Sequence, residues 1–188
     1  MIDDPVPYAH SLPRYTDLPL PPYRFVPGAG RPHPMRSGGY MSRFDWMFEG
    51  VRPPRRWAEQ RSYLYGVDLF NRAYWWEAHE AWEELWRRTR DPIQHEYLHG
   101  LIQLAAGMLK WHLGRARGVR ILSVKTITRL SVVRDSGPLE HDRLYMGLDI
   151  VAFVQMLQRV FRPFVNDQPR EGTCPVEPIV MRLHLDGV

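Results

Sequence analysis

Between Phe70 and Trp86 the chain sets four carboxylates (Glu77, Glu80, Glu83 and Glu84), one imidazole (His79) and four indoles (Trp75, Trp76, Trp82 and Trp86) into a single helix-length segment. At roughly 100° per residue, Trp76 and the four glutamates fall within about a third of a helix circumference, with His79 at the edge of that sector. Glu80 and Glu84 stand one turn apart, as do His79 and Glu83, and Glu77 and Glu80 are neighbours at i,i+3. Carboxylates so close repel one another unless a cation, a proton or an Arg or His partner neutralises them. The next segment adds His95 and His99 at i,i+4, with Gln103 one turn further along the same stripe. Two imidazoles at that spacing reach one ion, and imidazoles facing carboxylates across a helix pair are how bundles build metal sites.

A mixed carboxylate and imidazole set suits one divalent ion, Zn, Mn, Fe or Ni, whose useful chemistry is to lower the pKa of a bound water for hydrolysis. Without an ion, a Glu beside a His still makes a general acid/base pair. The run His79-Glu80-Ala81-Trp82-Glu83 invites comparison with the H-E-x-x-H zinc helix, but Glu83 stands where the second histidine belongs, so that class is excluded. The structural alternative is an amphipathic helix with an acidic solvated face, an aromatic core face and hydrogen-bonded imidazoles. Leu69, Ala73 and Trp76 share the face of the carboxylates, which makes it poorly suited to water alone. No phosphate-binding glycine loop, dinucleotide fingerprint or serine-nucleophile pattern is present.

The elements that must position these groups are helical. The spacing predicts a first helix from about Glu59 to Arg88. Asp91-Pro92 pairs a good N-cap with a proline at the first helical position, which starts a second helix that runs to about Leu113 and stops at Gly114. A third helix from about Ala116 to Val133 is basic on one side, with Arg117, Arg120 and Lys125, and a fourth spans about Leu139 to Phe164 on the spacing of Leu144, Leu148, Val151, Val154, Leu157 and Phe161. Short connections favour antiparallel neighbours, so the expected fold class is all-α: an antiparallel bundle of about four long helices at residues 57–164. Residues 1–56 hold 11 of the 17 prolines, and no helix runs through that spacing, yet Tyr15, Tyr23, Phe25, Tyr40, Phe44, Trp46 and Phe48 supply apolar anchors. This arm is expected to pack on the bundle, and residues 165–188 form an irregular tail in which 179–183 is at most a short extended piece.

Composition narrows the rest. The formal charge of +4 rests on dispersed arginine, with Lys110 and Lys125 the only lysines, and lacks the basic run of a dedicated nucleic-acid reader. Arg115, Arg117, Arg120, Lys125 and Arg129 are where a polyanion would bind, with steep salt dependence as its signature. The lone Cys174 excludes an intramolecular disulfide and any multi-cysteine metal site. No signal pattern or membrane-length apolar run is present, so a cytoplasmic setting without membrane contact is the expectation.

Four ordered blocks carry a resemblance: Gly66-Val67-Asp68-Leu69-Phe70-Asn71, the run from Trp76 to Trp86, Gly100-Leu101-Ile102-Gln103-Leu104-Ala105-Ala106 and Gly114-Arg115-Ala116-Arg117-Gly118. Over about residues 62–135 the chain resembles the bacterial and plant family catalogued as domain of unknown function 309. Gly147-Leu148-Asp149-Ile150 looks like the following family helix, and the arm from Pro21 to Pro34 is similar to the extension of longer members. The resemblance implies an all-helical fold and metal-dependent hydrolysis. By position, the family motif falls on Glu77, His79, Glu80, Glu83, Trp86, Gly100 and Gln103. Members commonly carry Tyr-His ahead of a Gly-Asn pair where this chain has Lys110-Trp111-His112 and Gly114-Arg115, so His112 is not carried over as a ligand.

The resulting expectation is a metal-dependent hydrolase acting on a small molecule at a pocket between the first two helices. Glu80 and His79 are the catalytic pair, Glu77, Glu83 and His99 the metal ligands, and Gln103, Trp76, Trp86 and His33 the substrate contacts, with His33 brought in by the arm. The alternative is a non-catalytic helical interaction module, self-association included, in which Glu77, His79 and Glu83 pair with Arg72, Arg87 or Arg88 for structure alone.

Overall fold

The computed structural model describes residues 11–36, 39–40, 50–166 and 179–185. The expected anchors Phe44, Trp46 and Phe48 and the lone Cys174 lie outside the described residues. A 3-10 turn at Pro54–Glu59 leads into five helices: α1 (Arg61–Phe70), α2 (Trp75–Arg88), α3 (Pro92–His112), α4 (Ala116–Ser136) and α5 (Ile150–Asn166). Each packs on the next in chain order. The only sheet among the described residues is a hairpin of β1 (Leu144–Tyr145) and β2 (Leu148–Asp149), paired antiparallel with Tyr145 opposite Leu148. Among the described residues no helix is long and apolar enough to cross a membrane.

The helix signals around α3 act as the sequence predicts. The Asp91 carboxylate accepts from the Gln94 backbone N–H at 2.7 Å, and Gly114, at φ +66°, ends the helix in the left-handed region. Two expectations need correction. The single helix from Glu59 to Arg88 is broken at Asn71–Tyr74, where Ala73 sits at φ +61° and the Tyr74 N–H donates back to the Leu69 carbonyl at 2.9 Å. The cause lies in the tail. Asn71 donates its amide to the Met181 carbonyl at 2.8 Å and accepts from the Met181 N–H at 2.9 Å, so one side chain replaces a strand partner. The fourth helix starts at Ile150 rather than Leu139. The hairpin occupies the intervening chain, with His141, Asp142, Met146 and Gly147 at positive φ, and Asp149 caps α5 by accepting from the Ala152 N–H at 3.0 Å.

Two glycines of the sequence blocks mark close helix contacts. A Cβ on Gly66 would lie 2.1 Å from Nε1 of Trp82, whose buried indole crosses α1 and donates to the Tyr63 carbonyl at 3.2 Å. A Cβ on Gly100 would meet Leu130 of α4 at 2.7 Å. Gly66→Ala should therefore force α1 and α2 apart and destabilise by about 1–3 kcal/mol, readable as a lowered urea midpoint at unchanged helical signal. An unchanged midpoint would show that the indole moves aside freely.

The arm is tied to α1 and α2 by polar side chains. Asp68, fully buried, accepts from the backbone N–H groups of Tyr15 and Thr16 at 2.9 Å each and from the Thr16 hydroxyl at 2.8 Å. Arg72 donates to the Leu12 carbonyl at 2.9 Å, Tyr65 to Pro19 at 2.6 Å and Tyr74 to Pro21 at 3.3 Å. Leu12, Leu18 and Phe25 of the arm are themselves buried. Backbone without regular structure thus finds its hydrogen-bond partners on helix side chains.

Candidate functional site

α2 and α3 lie side by side so that His79 is level with Ile102, and Trp86 is level with His95 and His99. Along α2, the i,i+1,i+4 spacing of His79, Glu80 and Glu83 brings one imidazole nitrogen and two carboxylate oxygens within 4.8 Å of one another. His79 Nδ1 faces the Ile102 carbonyl at 3.4 Å. A carbonyl only accepts, so Nδ1 is the donor in this contact, and Nε2 lies 3.6 Å from Glu83 Oε2. Arg87 binds the other Glu83 oxygen at 3.0 Å, which leaves Oε2 turned to His79. Glu84 is taken by Arg88 at 2.6 Å. Glu80 differs from both: it has no hydrogen bond or ion pair among the described residues. Desolvation pushes its carboxyl above the ordinary range; the charge of Glu83 adds to this, and His79, Arg87 and His33 oppose it.

Glu77 is not brought to this cluster. It is buried, and its Oε1 accepts from the Phe25 N–H at 2.7 Å and from the Tyr40 hydroxyl, so this expected metal ligand fastens the arm. Its Oε2 is buried with no partner among the described residues. Burial raises its carboxyl to about 7 against the donors Tyr40 and Phe25. His99, the other expected ligand outside the cluster, stands beside Gln103, with 3.1 Å between its Nε2 and the amide, and its ring packs 4.8 Å from that of Trp86. Desolvation and the Arg129 charge lower its pKa and keep the ring neutral. Whichever way the Gln103 amide is turned, His99 Nδ1 is left unmatched. With Trp86 Nε1 and Gln103 Oε1 it makes three buried polar atoms at the α2–α3 joint without partners among the described residues.

The expected substrate contacts surround the cluster. Trp76 and Trp86 are half-buried, one turn before and one turn after the His79–Glu83 pair. His33, between Pro32 and Pro34, sits edge-on to Trp76 at 5.3 Å and to Phe25 at 4.8 Å, and accepts from the Met35 N–H at 3.2 Å. The arm thus sets an imidazole beside the carboxylates of α2. Sequence reasoning missed Asp68, because its partners lie 52 and 53 residues away and leave no local pattern.

Together the fold and the cluster define an all-helical protein with a His-Glu-Glu group on the second helix of a bundle, overlaid by an irregular arm. Residues 63–122, which run from within α1 through α2 and α3 to the start of α4, match the family described as Domain of unknown function (DUF309). No curated protein and no solved structure matches the chain.

Proposed function

We propose that the protein is a hydrolase that depends on one divalent cation held by His79, Glu80 and Glu83. The observation that carries this reading is the convergence of the three ligand atoms within 4.8 Å, with Glu80 lacking any other partner among the described residues. The donor set fits a borderline cation of the Zn or Mn type, and the Ile102 carbonyl supports His79 as an outer partner of a metal-ligating imidazole does. A cation there would lower the pKa of a bound water and polarise a carbonyl or phosphoryl oxygen. The chain's own residues do the rest. His79 presents Nε2, Arg87 fixes the rotamer of Glu83, and Trp76 and Trp86 offer apolar faces to a substrate. His79 and Glu83 side chains keep 28% and 25% of their surface exposed, which leaves room for a ligand to approach.

Titration with Zn or Mn, followed by elemental analysis after desalting, should find about one equivalent in the parent protein, lost in Glu80→Gln and kept in Glu77→Gln. Because Glu80 must be deprotonated to bind, and desolvation raises its carboxyl, affinity should strengthen as pH rises above the ordinary carboxylate range. A metal-free parent, or a Glu80→Gln variant of unchanged affinity, would overturn the proposal. The second reading, a structural polar cluster serving an interaction module, is favoured by the Glu83–Arg87 and Glu84–Arg88 pairs, and a metal-free folded protein would support it.

A further inference from the structure

On the far side of the bundle, α4 and α5 present a surface unlike the rest. Six large apolar side chains are exposed among the described residues, and four of them, Ile121, Val124, Val132 and Val165, belong to these two helices. Between the helices runs a groove of about 270 Å³ lined by Val124, Ile127, Thr128, Gln158, Arg162 and Val165. The charge around it has one sign. No Asp or Glu occurs from residue 116 to 134 or anywhere in α5. Arg129 and Arg134 are neutralised by Glu96 and Asp135 at 2.6 and 2.7 Å. Arg117, Arg120, Lys125 and Arg162 are exposed and have no carboxylate partner among the described residues.

We propose that this groove docks an amphipathic helix of another protein, its apolar ridge seated between α4 and α5 and its flanks carrying Asp and Glu. Helix-in-groove recognition needs a concave apolar floor and a complementary rim, and both are present. Charge decides among the occupants. A second copy of the chain in a two-fold contact would set the unpaired cations against themselves, and like charges across an interface oppose binding. A lipid surface is flat and is usually met by Trp, Phe or Leu anchors, whereas the exposed apolar groups here are short and branched and every phenylalanine of α5 is buried. Thr128 and Gln158 would be stranded against acyl chains but can bond polar groups flanking a helix ridge. RNA would match the cations and leave the exposed valines and isoleucine uncovered.

The test uses the full chain and two labelled synthetic helices that share a leucine ridge, one flanked by Glu and the other by Lys, read by fluorescence anisotropy. The Glu-flanked helix should bind with an affinity that falls as salt is raised, and the Lys-flanked helix should not. Reversing Arg120 and Arg162 together (R120E, R162E) should weaken binding about tenfold or more and flatten the salt dependence. V124S with V165S should also weaken binding while leaving the salt dependence in place. These positions are exposed, and circular dichroism and melting temperature check that the variants fold. No binding of the Glu-flanked helix, equal binding of both helices, or indifference to both variants would overturn the proposal. So would binding of phosphatidylserine vesicles or RNA in place of the helix, or a dimer that V124S dissolves.

Discussion

Asp68→Asn should cost the protein about 3 kcal/mol and release the arm, since it removes a buried charge from its hydrogen-bond partners. The carboxylate is fully buried and its two oxygens take three donors from the arm: Tyr15 N–H on Oδ1, and Thr16 N–H and hydroxyl on Oδ2. Arg14 at 3.4 Å and Arg72 at 3.8 Å balance its charge. An amide in the same place must point its NH2 at a backbone N–H, and whichever way it turns, at least one buried donor is stranded. The loss should appear as a lower urea midpoint and as faster tryptic cleavage after Arg24 in the arm, with the helical signal of the bundle preserved. A midpoint within experimental error of the parent would mean that the arm is held by its apolar contacts alone.

Glu77 supplies the second large effect, and its sign is opposite to that of a surface carboxylate. Burial raises the folded-state pKa to about 7 from the ordinary value of 4.5. The folded protein therefore holds this proton more tightly than the unfolded chain, and between those values the folded state carries more protons. Stability from this group is fully present below pH 4.5 and is lost as pH rises through about 7. The full span corresponds to about 3 kcal/mol, and roughly half of it should lie between pH 5.5 and 8. Denaturant unfolding of the parent and of Glu77→Gln at both pH values isolates the term, because contributions from other groups cancel in the double difference. The parent should lose stability relative to the variant on going to pH 8. A difference that does not change with pH would show that Glu77 is ionised in the folded state at both.

The segments whose boundaries are written locally were legible in the sequence. Asp91-Pro92 and Gly114 announce the two ends of α3 because a cap and a left-handed glycine are properties of a few consecutive residues. The break between α1 and α2 was hidden, since it contains neither Gly nor Pro and depends on Asn71 meeting Met181 across 110 residues. The hairpin was hidden for another reason. Leu144 and Leu148 fit a helical repeat that Val151, Val154 and Leu157 genuinely continue, and Gly147 alone hinted otherwise.

The candidate site divides the same way. The helical wheel placed Glu77, Glu80 and Glu83 on one side of α2, and that much is visible in any helix. Which carboxylate meets the arm and which faces His79 depends on where Phe25 and Tyr40 come to rest, 52 and 37 residues away. Glu77 is therefore the residue that sequence reasoning could not separate from chemistry: a buried Glu that fastens backbone and a buried Glu that works on a substrate are the same letter at the same spacing.

The tie between Tyr15 and Leu183 also sets an order of events. The Tyr15 hydroxyl accepts the Leu183 N–H at 2.8 Å across 168 residues, and Leu183 bridges to Leu148 beside it. During synthesis the arm leaves the ribosome well before Asp68 and Glu77 exist to receive it, and the Tyr15–Leu183 bond cannot close until 168 further residues have been made. Contacts of such long reach form late, after the neighbouring helices have paired. Asp68 and Glu77 can hold the arm once α1 and α2 have paired, so the arm is seated before Leu183 arrives to close on Tyr15.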